Sequence, residues 1–327
     1  MSAKQTIDRA KDSGVSLGED EARVALHPGN VPDHRAWLGI DFRDYPVAYF
    51  ESIDQKVSSF AVSQVIDVES VDTVIGQPPE HVRTVKVTCR DTRLSGVFIA
   101  FMDDVISQLG EAGAVSVLTN SAASWRNLLR LAKQGLSDAA AAGLYGELMF
   151  LNELIFQSGP AYLETWQKDG QDIHDFIADD VRVEVKTSAF QNRQAVSIHG
   201  LKQLAAPESA DLVLAVAEIE KHGNGETLDD VVDRILDQGT ELGMMSEKLA
   251  AAGFVRGMTS ADEEQRFTLR SWRYWEITGG LPVLNLEAVG AEVALAISDV
   301  RYSLNLSSLG ESRETFDWSR FTSRGSG

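Results

Sequence analysis

Cysteine is nearly missing from this chain: Cys89 is the only one in 327 residues. An internal disulfide and a cysteine-rich zinc site are therefore excluded. The six histidines are scattered, with no His-Glu-x-x-His run and no Cys-x-x-Cys pair, which removes the common zinc signatures. No stretch approaches the roughly 20 apolar residues of a membrane span. Residues 1–30 hold no apolar run of the kind a secretory signal carries. The expectation is a cytoplasmic protein with no membrane partner. Positive charge is also scarce: 30 basic residues face 49 acidic ones, a formal charge of −19. A body this acidic holds nucleic acid only through a local basic surface, metal ions or a basic partner.

What is present is the composition of a globular chain, 43% hydrophobic and 24% charged. That argues against disorder or a coiled-coil rod for the bulk of it. Residues 1–30 read as an arm, mobile or lightly docked. Residues 31–120 read as a β-rich domain: Ala36 to Phe42 and Val47 to Ile53 flank a turn at Asp44-Tyr45-Pro46, and Ser58 to Val68 and Val82 to Cys89 are β-branched runs. Val97 to Leu109 fits strand or helix. From residue 121 the period changes. Trp125, Leu128, Leu129 and Leu131 fall at helical spacing. Ser137 then caps a helix from about Asp138 to Gln157, closed by Ser158-Gly159-Pro160. Its apolar residues cover most of its surface, so it should be buried on several sides.

Three short strands follow: Ile173 to Ala178, Val181 to Ser188 and Gln194 to His199, with Asp179-Asp180 as a tight turn between the first two. Gly200 to Ala206 reads as a short helix and Asp211 to Ile219 as a central strand. The order over 138–219 is α-β-β-β-α-β. A capped helix begins at Thr227. Phe267 to Ile277, Pro282 to Leu286 and Tyr302 to Leu306 read as strands. The class is α/β with α+β flanks: a core over 121–220 and an α+β region over 221–327 packing on it.

The residues able to do chemistry lie in that core. In Val181-Arg-Val-Glu-Val-Lys-Thr187 the alternation of a strand puts the valines on one face and Arg182, Glu184 and Lys186 on the other. If Asp179-Asp180 makes the turn, Asp175 and Glu184 lie at similar distances from it and their carboxylates converge. Such a pair raises a pKa unless a cation sits between, and hard oxygen ligands suit Mg²⁺ or Mn²⁺. Lys186 beside them could hold a phosphate or orient a water. Those are the parts of metal-assisted phosphodiester hydrolysis. Glu147, mid-helix among apolar residues, needs a partner, and a metal or Lys186 would serve. His174 reads as a partly exposed strand histidine before it reads as a ligand or base. Asp172 could replace Asp175 if the register slips. Trp272, Tyr274 and Trp275 read as core aromatics rather than base-stacking platforms. Val181 to Lys202 carries four bases against Glu184, a net +3, whereas Gln203 to Arg266 carries 14 acids against 5 bases, a net −9. DNA binding at the basic strip would be phosphate-led and salt-sensitive.

Gly143-Leu-Tyr-Gly-Glu147, His174-Asp175 and, after eight residues, Glu184-Val-Lys-Thr187 resemble the PD-(D/E)XK nuclease superfamily. More closely they resemble a bacterial family with that motif, encoded beside restriction-modification and phage-defence genes. His174 stands where the eponymous proline would be. The resemblance implies a restriction-endonuclease-like αβββαβ core and a metal-dependent DNA endonuclease of restriction or phage defence. It assigns Asp175 and Glu184 as ligands of Mg²⁺ (or Mn²⁺), Lys186 as the catalytic lysine and Glu147 as the helix carboxylate supporting the metal or its water. Gln203 corresponds to a glutamine some members carry near the site, and His174 is a further accessory candidate. DNA is the implied partner, with other proteins of a defence complex, and a homodimer if both strands are cut. The competing expectation is a catalytically inactive subunit that keeps the nuclease fold as a scaffold.

Overall fold

The computed structural model describes residues 2–17, 22–29, 34–52, 59–63, 65–75, 80–110, 113–131, 136–168, 173–189, 194–207, 209–257, 265–297 and 300–322. Asp172 lies outside the described residues, as do the side chains of Leu128, Leu129 and Leu131. The chain forms two compact units, Met1–Gln134 with Gly253–Glu263, and Gly135–Ala252 with Glu264–Gly327.

In the first unit the N-terminal segment is no arm. Helix α1 (Ala3–Ser13) is opened by a capping box between Ser2 and Gln5 and buries Ala3, Ile7 and Ala10. These residues are few and small, so their stripe is faint in sequence. Strands β1 (Val15–Leu17), β2 (Ala22–Leu26), β3 (Ala36–Asp41), β4 (Pro46–Glu51), β5 (Phe60–Ala61), β6 (Ile66–Ile75) and β7 (Glu80–Cys89) form an antiparallel sheet in the order β1-β2-β3-β4-β7-β6-β5. The ambiguous segment is helix α2 (Ser95–Gln108), followed by α3 (Ala114–Leu131). Phe98, Phe101, Val117, Leu118 and Trp125 of these helices share a core with Leu38, Phe50, Val68, Val85 and Val87 of the sheet. Because α3 runs through residue 121 and packs into this core, the boundary falls at 134 and not at 120.

The second unit begins with α4 (Asp138–Ser158), capped by Ser137 and ended at Gly159, whose φ is 106°. By length and composition alone α4 could cross a membrane, but here Leu144, Leu148, Phe150, Leu151, Leu154 and Ile155 are buried in the unit. Strands β8 (Phe176–Ile177), β9 (Val181–Ala189), β10 (Ala195–His199), β11 (Asp211–Glu226), β12 (Phe267–Ile277) and β13 (Arg301–Asn305) follow, with helices α5 (Leu228–Asp237) and α6 (Leu242–Ala251) between β11 and β12. One sheet has the order β12-β11-β9-β8, with β9 parallel to β11, and β10 pairs with β13 in a separate two-stranded sheet. β11 lies inside its sheet and is buried without interruption from Leu212 to Ile219.

This differs from the expected αβββαβ order in two ways. The third strand, β10, leaves the main sheet. Gly200 to Ala206 is a set of turns, not a helix: Leu201 and Leu204 are buried at helical spacing, but only a turn bond, Ala205 N to Lys202 O at 3.0 Å, closes there. Pro282 to Leu286 forms no strand either. Leu281 and Val283 pack against the core beside Trp275 and Leu304 as irregular chain, so burial rather than strand pairing explains their apolar pattern. The aromatics of β12 are core, as expected: Tyr274 and Trp275 are buried, and Trp272 stacks on Tyr274 at 5.7 Å between ring centroids.

Gly146 sets the distance between α4 and the sheet. A Cβ there would lie 2.5 Å from Thr187 Cγ2, with Ala217 and Val185 just beyond. The helix can lie this close to β9 and β11 only because position 146 has no side chain. Gly146→Ala should therefore lower unfolding stability by about 1–3 kcal/mol despite alanine's better helix propensity. Thr187→Ala in the same chain should recover part of the loss. Chemical denaturation of the three variants measures both effects, and equal stability of the wild type and Gly146→Ala would contradict the account.

Candidate active site

The hairpin closes as its spacing predicts. Phe176 pairs with Val183 and Ile177 with Arg182, while Ala178 N donates to Val181 O at 3.0 Å around Asp179-Asp180. Extending that register by one residue sets Asp175 across from Glu184. The strand itself is only two residues long, and the Asp175 side chain continues its work: Val185 N donates to Asp175 Oδ2 at 2.8 Å. Gln167 N donates to Asp175 O at 2.8 Å and holds the backbone from the other side.

The two faces of β9 also separate as expected. Val185 and Thr187 lie against Gly146 of α4. Arg182, Glu184 and Lys186 pair with Leu212, Leu214 and Val216 of β11 and share the opposite face. Glu184 is 1% exposed. Its Oε1 is paired with the Lys186 ammonium, and its Oε2 has no hydrogen-bond partner among the described residues.

Glu147 reaches the same region from α4. Trp166 Nε1 donates to its Oε2 at 2.8 Å. Lys168 pairs with that oxygen and lies 3.6 Å from Asp175 Oδ1. Neither Trp166 nor Lys168 stood out in the sequence, because each is a single residue in an irregular stretch. The available signal was electrostatic: three acids gathered in a buried place need more than one cation.

The gathering shows in the protonation of these groups. Burial, then the charge of Asp175, raises the Glu184 carboxyl to about 8, against the opposing pull of Lys186. Burial and Asp175 likewise raise Glu147 to about 7, against Lys168. Both lysines are shifted upward: burial works against their charge, but the carboxylates around them outweigh it. Among the described residues, no three Asp, Glu, His or Cys side chains form a metal-ligand group as they stand. Lys168 instead takes the place of a cation beside Glu147 and Asp175.

The two accessory candidates fare differently. His174 is buried rather than partly exposed. Gln203 is half-buried, and its Oε1 accepts from His199 N at 2.8 Å, so it closes the end of β10 instead of joining the carboxylates.

A family model described as "Putative PD-(D/E)XK family member (DUF4420)" matches residues 16–307. The chain belongs to the DUF4420 family. No curated protein and no solved structure matches it. The DUF4420 match spans both units and includes Asp175 and Glu184-Val-Lys186, the residues that spell D…E-x-K in this chain. Membership suggests a nuclease-like fold, and the mixed α/β architecture agrees with that at the level of class.

Two raised carboxyls give a definite pH dependence. Each binds its proton more tightly in the folded chain than in the unfolded one, where 4.5 is the ordinary value. Their stabilising effect is complete below about 4.5 and is lost as pH rises through about 7 and about 8. Without divalent ions, the melting temperature of the wild type should therefore fall more steeply between about pH 5 and pH 8 than that of Glu184→Gln, which cannot titrate at that position. Parallel profiles by scanning calorimetry would contradict the assignment of the raised carboxyl.

Proposed function

We propose that this protein is a divalent-metal-dependent DNA endonuclease in which Asp175 and Glu184 hold Mg²⁺ or Mn²⁺, Glu147 supports the ion or its water, and Lys186 acts on the scissile phosphate. The observation that carries the reading is the buried Oε2 of Glu184. It is a hard, negatively inclined oxygen without a hydrogen-bond partner among the described residues, across the hairpin from Asp175 and beside a lysine. A buried carboxylate oxygen in that state is costly unless a proton or a cation reaches it. The donor set therefore fits a magnesium-like ion, which takes oxygen ligands and usually keeps several waters.

When bound, such an ion would polarise the phosphate and make a coordinated water acidic. The chain's own residues supply the rest. Val185 N and Gln167 N fix Asp175 before any ligand arrives. Trp166 orients Glu147. Lys186, kept positive by Glu184 and Asp175, offers a fixed charge for the negative charge that develops on phosphorus. The setting in restriction or phage defence, among other proteins of such a system, rests on the sequence resemblance.

A second reading is favoured by one observation. Lys168 fills the space between Glu147 and Asp175, and no metal-ligand group stands ready among the described residues. On that reading the fold is a non-catalytic scaffold and the lysines are permanent counter-ions. A cleavage assay on plasmid and single-stranded DNA with Mg²⁺ or Mn²⁺ separates the two. The wild type should cut, and Asp175→Asn, Glu184→Gln and Lys186→Met should each lower the rate about 10²-fold or more with circular dichroism unchanged. Full activity in all three variants would end the proposed assignment; no cleavage together with no Mn²⁺ binding by the wild type would leave the scaffold.

A further inference from the structure

Lys168 is a cation at this site that the D…E-x-K pattern does not account for. Its side chain is 17% exposed, pairs with Glu147 and lies 3.6 Å from Asp175, while Lys186 serves Glu184. The ammonium also sits 5.6 Å from the centre of the Trp166 ring, the same indole that donates to Glu147. Trp166 is fully buried and its carbonyl accepts from Lys248. The chain just before Lys168 is therefore anchored at Trp166.

Charge decides what this lysine can do. With all three acids ionised, as a bound divalent ion would leave them, the residues Glu147, Asp175, Glu184, Lys168 and Lys186 sum to −3 + 2 = −1 before the ion is counted. Adding a divalent ion with both lysines in place gives +1, with the ion and the Lys168 ammonium competing for the same oxygens of Glu147 and Asp175. Withdrawing Lys168 as the ion enters gives −3 + 1 + 2 = 0. A neutral buried cluster is favoured over one carrying a net charge. Lysine suits exchange: its single charge rides on a flexible stem and can leave without dragging a planar fork of hydrogen bonds.

We propose that Lys168 is a resident cation that holds Glu147 and Asp175 together in the metal-free protein and is displaced from them by the divalent ion. This rests on the metal-dependent reading above and deepens it: Lys168 makes folding independent of the metal and weakens metal binding by competition. The freed ammonium remains on a short tether beside the site, where a substrate phosphate is the group able to receive it.

The test is metal affinity rather than cleavage. Calorimetric titration with Mn²⁺ on wild type, Lys168→Gln, Lys168→Met and Lys168→Arg should show about tenfold or tighter binding in the two uncharged variants, with affinity near the wild-type value for the arginine. In metal-free buffer the uncharged variants should melt at lower temperature than the wild type, and saturating Mn²⁺ should raise their melting temperature by more than it raises the wild type's. Glutamine can still donate hydrogen bonds to both carboxylates, so it covers the case in which the methionine variant does not fold. Equal or weaker Mn²⁺ binding by Lys168→Gln, with clear binding by the wild type, would overturn the displacement and leave the metal reading standing. No binding by any of the four would overturn both.

Discussion

Glu147, Asp175 and Glu184 share a space from which water is largely removed, and two lysine ammonium groups do not fully balance them. Most of what can be said of this protein's chemistry follows from that imbalance. Burial and mutual repulsion push two of the carboxyls far above their ordinary range. The arrangement therefore costs stability near neutral pH. Such a cost is understandable where a cation is to be received, because affinity for it is drawn from the same unrelieved charge.

The fold holds that charge in place with very local means. Strand β11, apolar from Leu212 to Ala217, fixes β9 on one side through nine parallel pairings. On the other side the hairpin strand is so short that a side chain, Asp175, takes the next N–H of β9. Gly146 lets α4 lie against Val185, Thr187 and Ala217, and the next residue of the helix is Glu147. Strand β9, the residue just before β8 and helix α4 thus each contribute one acid. The cations are held less uniformly: Lys186 is on the strand itself, whereas Lys168 is in irregular chain anchored through Trp166. That contrast fits one fixed and one exchangeable charge.

Much of this was legible from residues alone. The alternation in Val181–Thr187, the Asp-Asp turn and the cap at Ser137 were enough to anticipate β9, the hairpin and α4, and to bring Asp175 opposite Glu184. These are short-range features, set by side-chain period and turn chemistry. Where burial rather than backbone pairing shapes a segment, apolar spacing misleads. Leu201 and Leu204 mimic a helix in what is a turn, and Leu281 and Val283 mimic a strand in irregular chain. The N-terminal helix escapes pattern reading because its buried residues, Ala3, Thr6, Ile7 and Ala10, include a single large apolar side chain.

By itself the sequence determined which acids could meet and on which face of a strand, since two-residue periodicity and a tight turn leave a hairpin little freedom. Only the tertiary structure decided what surrounds them. That β10 leaves the sheet to pair with β13, that Trp166 and Lys168 come to Glu147, and that Glu184 loses contact with water are matters of packing between segments distant along the chain. Local pattern carries no information about such contacts, because desolvation and charge coupling depend on the whole set of neighbours and not on the order in which they are joined.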